Sequence, residues 1–293
     1  MSSQSSSPLA PTPQLRRRKA VNKLMEGLML IAALGAVGVL ALVVGSVVMR
    51  GHSALTVAFF TKVPATFGES GGGIANSIAG TVIIVACATV LALPIGVLIA
   101  IYTSELAPPE VRRFIGLVLD VLNGLPSIVI GIFVFGLLVL GHQQSAIAAG
   151  VALAIIMLPL VARSTQEVLA LVPGSLREAS FALGVSRWRT VVGVILPTSL
   201  GGILTGATLA VARAAGETAP LLFTCSVTTS LVSWDPRQAL QSIPLTIFEK
   251  LESPDPADHA QAWAAALVLM SFVLVVSLLS KAALARSRRK LAR

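Results

Sequence analysis

Six apolar stretches dominate this chain and leave it one class of fold. They run over about 25–49, 75–102, 114–140, 146–162, 198–223 and 262–284. A helix needs about 20 such residues to cross the hydrocarbon core of a bilayer. The composition agrees, because 55% of the 293 residues are hydrophobic and only 12% are charged. That is about half the charged share of an ordinary soluble domain, too little polar surface to coat a water-soluble globule. The expected fold class is an all-α integral membrane protein with six transmembrane helices. Residues 1–24 read as a disordered, basic cytoplasmic tail, 25–284 as the transmembrane domain and 285–293 as a second basic tail.

The charges set the orientation. After a Ser/Pro-rich start, Arg16, Arg17, Arg18, Lys19 and Lys23 precede the first stretch. That stretch exceeds the ~7–15 apolar residues of a signal peptide, so it reads as a retained anchor. With the N-terminus inside, 17 of the 22 Lys and Arg fall in inner segments and 4 in outer ones. This bias predicts both termini of a multi-pass membrane protein in the cytoplasm. It also accounts for the net charge of +9 without nucleic acid, since no basic run is interleaved with the aromatics that base stacking needs. Cys87 and Cys225 lie 138 positions apart and read as small apolar residues. His52, His142 and His259 are far apart in sequence, so no metal site is expected. Pro94, Pro126, Pro159 and Pro220 fall within or beside spans, which favours a kinked bundle with a lined cavity.

The inner loop at about 163–197 is more than a linker. Pro173-Gly174-Ser175 reads as a helix start, with Ser175 as N-cap and Glu178 three residues on. That helix should run through Leu176–Leu183, stop near Gly184 and resume at Ser186–Arg189, with Pro197 marking the start of the fifth span. Leu176, Phe181 and Leu183 then form apolar knobs that either pack on the chain's own helix ends or dock on a partner. Glu178-Ala179-Ser180, Gly184 and Leu196-Pro197 resemble the EAA loop of ABC importer permeases. Ser180 stands where the pattern has a second alanine, and Val194 where it has isoleucine. The resemblance implies the six-helix type I permease fold and a coupling loop, with Arg187 beside it, that docks on a separate ATPase. ATP and Mg would be bound there, and this chain would hold no cofactor of its own. No Gly-Lys pair occurs anywhere in the chain, so it has no phosphate-cradling P-loop.

Further stretches resemble the phosphate importer's permease of the PstA type. They are Gly71-Gly72-Gly73-Ile74-Ala75-Asn76-Ser77-Ile78-Ala79-Gly80-Thr81, Gly124-Leu125-Pro126-Ser127-Ile128-Val129-Ile130-Gly131, and Ala212-Arg213-Ala214-Ala215-Gly216-Glu217-Thr218-Ala219-Pro220-Leu221-Leu222. That resemblance spans roughly 70–284. It implies a second related permease (PstC type), two ATPase subunits (PstB type) and an extracytoplasmic phosphate-binding protein (PstS type). ATP binding would then close the motors, and the EAA helices would turn that closure into outward opening.

Charge inside the spans points to the same place. Arg213, Glu217 and Asp120 are the charged residues placed well within them, and such residues usually face a pathway or a partner. At 1.5 Å per residue, Arg213 sits roughly 22 Å from the inner end of its span. Gly202, Gly206, Arg213 and Glu217 are expected on one helical stripe. Arg213 and Glu217 read either as a substrate-pathway pair or as a structural i,i+4 ion pair. The outer loop 224–261 is acidic, and its Ile243–Phe248 run is expected at the membrane interface. It is either a docking surface for the binding protein or an ordinary solvated loop. The rivals to a phosphate permease are a sulfate or molybdate permease, an ion-gradient-driven transporter and an intramembrane enzyme. No internal inverted repeat supports the second, and no H-E-x-x-H or G-x-S-x-G supports the third.

Overall fold

The computed structural model describes residues 13–65, 72–226 and 232–291, and among these every regular element is helical. Five helices are long and apolar enough to cross a membrane, and a bent pair counted as one span makes six. The chain falls into two compact units, residues 1–49 and 50–293. The first consists, over its described residues, of positions 13–49 of helix α1, which runs over Pro13–Gly51. The stretch expected as a disordered tail is therefore helical from Pro13 onward, and residues 1–12 lie outside the described ones. Proline suits a helix start, where its missing N–H would have no partner in any case.

In the second unit the short α2 (Val57–Thr61) precedes α3 (Ala75–Ile101), which a π-helical turn, Tyr102–Leu106, extends. Next come α4 (Pro109–Gly124) and α5 (Ser127–Val134), the latter followed by a second π turn at Phe135–Val139. Helix α6 (Ala146–Ala170) leads to the short α7 (Gly174–Ala182) and α8 (Arg187–Thr190). A third π turn, Val191–Ile195, then joins α8 to α9 (Leu196–Ala215). The series ends with α10 (Ala219–Thr224), α11 (Ile243–Glu252) and α12 (Pro256–Leu291).

Helix α6 forms the axis of this unit, with 61% of its most apolar window buried against at most 28% in any other candidate span. Small residues make that possible, since without a hydrophobic drive helices in lipid associate through close packing. A Cβ on Gly150 would stand 2.7 Å from Cβ of Cys87, and one on Gly96 would stand 2.8 Å from a Val161 methyl. Ala88, Ala92, Ala149 and Ala152 complete the dry seam between α3 and α6.

Several sequence expectations shift. The third span is a broken pair bent by 98° between α4 and α5, and its first half starts at Pro109. The fourth is no short span, because α6 runs on to Ala170 and takes Arg163 into the helix. The helical run from Arg187 is continuous through Pro197, which lies in the first turn of α9. A proline clashes with the carbonyl four residues back, here Gly193, and Gly193 lies in the Val191–Ile195 π turn where the register is already shifted. The fifth span stops at Ala215. The Ile243–Phe248 run is helical and buries Ile243, Pro244, Leu245 and Thr246 within the protein. The second basic tail is a helical continuation of α12 as far as Leu291.

Candidate translocation site and coupling surface

Two breaks in the helices meet at one cleft. Between α4 and α5, Pro126 offers no N–H to continue the ladder and holds Leu125 extended, at φ −70° and ψ 136°. Between α9 and α10, the helix ends at Gly216 and restarts with Pro220 in its first turn. Gly131 allows the two segments to touch, since a Cβ there would lie 2.6 Å from Cα of Pro220. The cleft they enclose has a volume of about 220 Å³, and its polar lining is Asn123, Ser127, Arg213 and Glu217.

Arg213 projects from the last turn of α9, with its side chain 55% exposed. Its Nε lies 3.6 Å from Oε1 of Glu217, outside hydrogen-bonding distance. The guanidinium thus has charge nearby and donors to spare. Glu217 is not on the helix as the periodicity predicts, because Gly216 ends α9 one residue earlier. The small-residue part of the stripe packs on α6, with Gly202 against Val168 and Gly206 against Ser164. Asp120 takes no part in the cleft lining. It pairs with Arg163 at 2.5 Å, and Arg163 also donates to the Gly116 carbonyl at 2.9 Å, tying α4 to α6.

The inner loop forms a helix–glycine–helix hairpin. Pro173 occupies the N-cap of α7 and provides no side-chain cap, so the expected role of Ser175 is absent. Gly184 sits at φ +74° with open space around its Cβ direction, so backbone conformation alone calls for glycine there. Ser180, which departs from the EAA pattern, is buried, and its Oγ lies 2.8 Å from Oγ1 of Thr190. That contact pins α7 to α8. Glu178, Ala179 and Arg187 are exposed, as are Leu176, Phe181, Leu183 and Trp188, with Leu183 at 83%. Leu196 is partly buried beside the Val191–Ile195 cluster. The apolar knobs therefore present outward within this unit.

Arg177, which the sequence reading passed over, anchors the hairpin. It donates twice to Glu105, at 2.7 and 3.2 Å, and to the carbonyls of Val172 and Leu169 at 2.7 and 3.0 Å. Hydrogen bonding to Glu105 raises its pKa above the usual arginine value despite burial. Among the described residues no group of His, Cys, Asp and Glu is placed to hold a metal.

Comparison with known proteins identifies the family. The family model described as "Binding-protein-dependent transport system inner membrane component" matches residues 92–290, a range that holds the cleft and the hairpin. The chain belongs to this family. It is 40% identical to the phosphate transport system permease protein PstA of Yersinia pestis, over 83% of each chain. It is 36% identical to the PstA protein of Xylella fastidiosa (strain Temecula1), over 93% of this chain and 96% of the relative. Among solved structures, the permease fold matches a bacterial alginate ABC transporter at TM-score 0.64 and 13% identity, covering 91% of this chain and 96% of that one. It also matches the MetNI methionine ABC transporter at TM-score 0.58 and 20% identity, covering 73% and 94%.

The binding-protein-dependent permease family settles the class. This chain is a multi-pass inner-membrane permease component of an ABC importer, not an enzyme, and ATP hydrolysis belongs to separate ATPase subunits. An ion-gradient-driven transporter and an intramembrane enzyme are set aside.

Proposed function

We propose that this permease conducts phosphate, with Arg213 and Glu217 forming the anion's path where the two helix breaks meet. The carrying observation is the half-exposed guanidinium of Arg213 beside a carboxylate that does not close on it. Arginine stays protonated when desolvated, and its planar fork matches two oxyanion oxygens. A transport site must admit its cargo yet let it go. Glu217 supports that balance by partly neutralising Arg213 between passages. It also accepts a hydrogen bond from the protonated oxygen of HPO₄²⁻, which fully ionised sulfate lacks.

In this reading both termini are cytoplasmic, and the α7–α8 hairpin, with Glu178, Ala179, Ser180, Gly184 and Arg187, docks on the ATPase. The partners are a PstC-type permease, PstB-type ATPases and a PstS-type binding protein, in line with the relatives' names. The test reconstitutes the four components in proteoliposomes and measures labelled phosphate and sulfate. ATP-dependent phosphate uptake that excess sulfate does not block is the expected result. Equal transport of sulfate, or uptake by this chain alone under an ion gradient, overturns the reading.

The hairpin gives a graded prediction. A non-glycine residue at φ +74° costs about 1–2 kcal/mol, least for asparagine, whose side chain tolerates that region. Gly184→Leu should therefore weaken ATPase attachment about tenfold, a factor worth ~1.4 kcal/mol. Gly184→Asn should stay near the parental level, with membrane abundance of the permease unchanged in both. Co-purification of the ATPase across the series is the measurement, and full attachment in Gly184→Leu would count against docking here.

A further inference from the structure

Docking alone does not explain how movement of α7 reaches the rest of the chain. Along the sequence α7 is joined to α6 before it and, through α8, to α9 after it, and both of these helices pack on α3. Arg177 adds a direct polar link from α7 itself to the end of α3. Its bidentate bridge reaches Glu105 in the π turn that ends α3, 72 positions earlier. The same guanidinium caps the end of α6 through the Leu169 and Val172 carbonyls, where a cation also suits the helix dipole. The Glu105 side chain is 11% exposed and that of Arg177 24%, so this pair is screened far less than a surface bridge.

The other end of α3 is also fastened. Oγ of Ser77 lies 2.7 Å from Oγ1 of Thr246, and Oγ1 of Thr81 accepts a 2.8 Å hydrogen bond from the Ile243 amide. Both partners belong to α11. From Ala75 to Leu106 the apolar helix runs 32 residues, a rod of about 48 Å at 1.5 Å per residue. It therefore carries polar fastenings at both tips and a dry apolar seam between.

We propose that Arg177 and Glu105 form a strut that makes α3 travel with α7, carrying the displacement of the docking helix to α11 at the far end of the rod. Arg177 and Glu105 are positioning residues that touch neither phosphate nor nucleotide. The inference rests on the docking reading of α7 and adds the route by which docking acts. A contiguous packed element fastened at both ends is the physical basis for such coupling.

The test uses the complete reconstituted importer with phosphate-loaded binding protein. Glu105→Gln keeps the shape and one acceptor but removes the charge that holds the fork. Phosphate uptake and binding-protein-stimulated ATP hydrolysis should each fall about tenfold, a coupling loss in the usual range. Basal ATP hydrolysis and ATPase attachment should stay at the parental level. The second arm replaces both partners, Glu105→Cys with Arg177→Cys. Uptake should be lost in the unlinked pair, return when a short bifunctional thiosulfonate bridges the two thiols, and vanish again on reduction. A role confined to folding would not respond to a reversible bridge. Parental coupling in Glu105→Gln, or a bridged pair no better than the unbridged one, overturns the strut. Leu183→Asp, on the exposed face of the hairpin, reads docking separately. If it detaches the ATPase while Glu105→Gln couples normally, docking stands and the strut falls. If the ATPase stays attached to Leu183→Asp, the docking reading fails and takes the strut with it.

Discussion

Arg213→Gln is expected to give an importer that assembles at parental abundance, keeps its ATPase and takes up almost no phosphate. The side chain protrudes into the cleft and is 55% exposed, so a neutral residue of similar length fits the same space, and the Glu217 carboxylate loses only a long 3.6 Å contact. Its sole ionic contact among the described residues is Glu217 at 3.6 Å, too long to hold α9 and α10 together. The phosphate, by contrast, loses two charge-assisted hydrogen bonds, each worth roughly 1.5–3 kcal/mol. That corresponds to about a hundredfold or more in transport at limiting phosphate. Glu217→Gln should act differently, slowing release or admitting sulfate while the complex stays intact. Membrane abundance, ATPase co-purification and labelled uptake distinguish the cases. Parental uptake in Arg213→Gln would remove the pathway role, and failure to assemble would favour a structural ion pair.

Residues legible in the sequence were those whose chemistry conflicts with their surroundings. An arginine deep in an apolar run, a glycine between two short helices and the five long apolar helices each announce themselves locally. The breaks were less legible although their signals were present. Gly124-Leu125-Pro126 lay inside what reads as one span, yet proline and the extended residue before it demand an interruption. Gly216 carried the same message for Glu217, since a helix ending there removes the next residue from the i,i+4 series. Helical periodicity stops at such punctuation.

What was illegible depends on tertiary partners. Ser180 looked like a departure from a pattern, but its hydroxyl meets Thr190 and closes the hairpin. Arg177 gave no sign of reaching Glu105, because a pairing across 72 positions has no local signature. Cys225 read as a small apolar residue. In the fold its Sγ accepts from the Leu240 amide at 3.0 Å and donates to the Leu240 carbonyl at 2.9 Å. Asp120 reads as a charge well within a span, and its partner is Arg163, which the sequence places at the start of the inner loop.

Among alanine substitutions at the described glycines, Gly80→Ala should produce the largest structural effect. A Cβ at that position would stand 1.9 Å from the carbonyl oxygen of Gln241 and 3.1 Å from Cβ of Leu240. The obstacle is backbone, which cannot rotate aside as a flexible side chain would, so α3 and the segment leading into α11 must separate. Separation also stretches the Ser77–Thr246 and Thr81–Ile243 hydrogen bonds, leaving buried polar groups short of partners. Overpacking of this kind costs about 1–3 kcal/mol before those losses are counted. The expected result is a clear fall in thermal stability of the detergent-solubilised complex, with weaker phosphate uptake because α11 no longer follows α3. Gly136→Ala serves as the control, since a Cβ there meets nothing within 4 Å, and should leave stability and uptake unchanged. If Gly80→Ala melts at the parental temperature, α3 and α11 do not make the close approach through which α3 would carry α11.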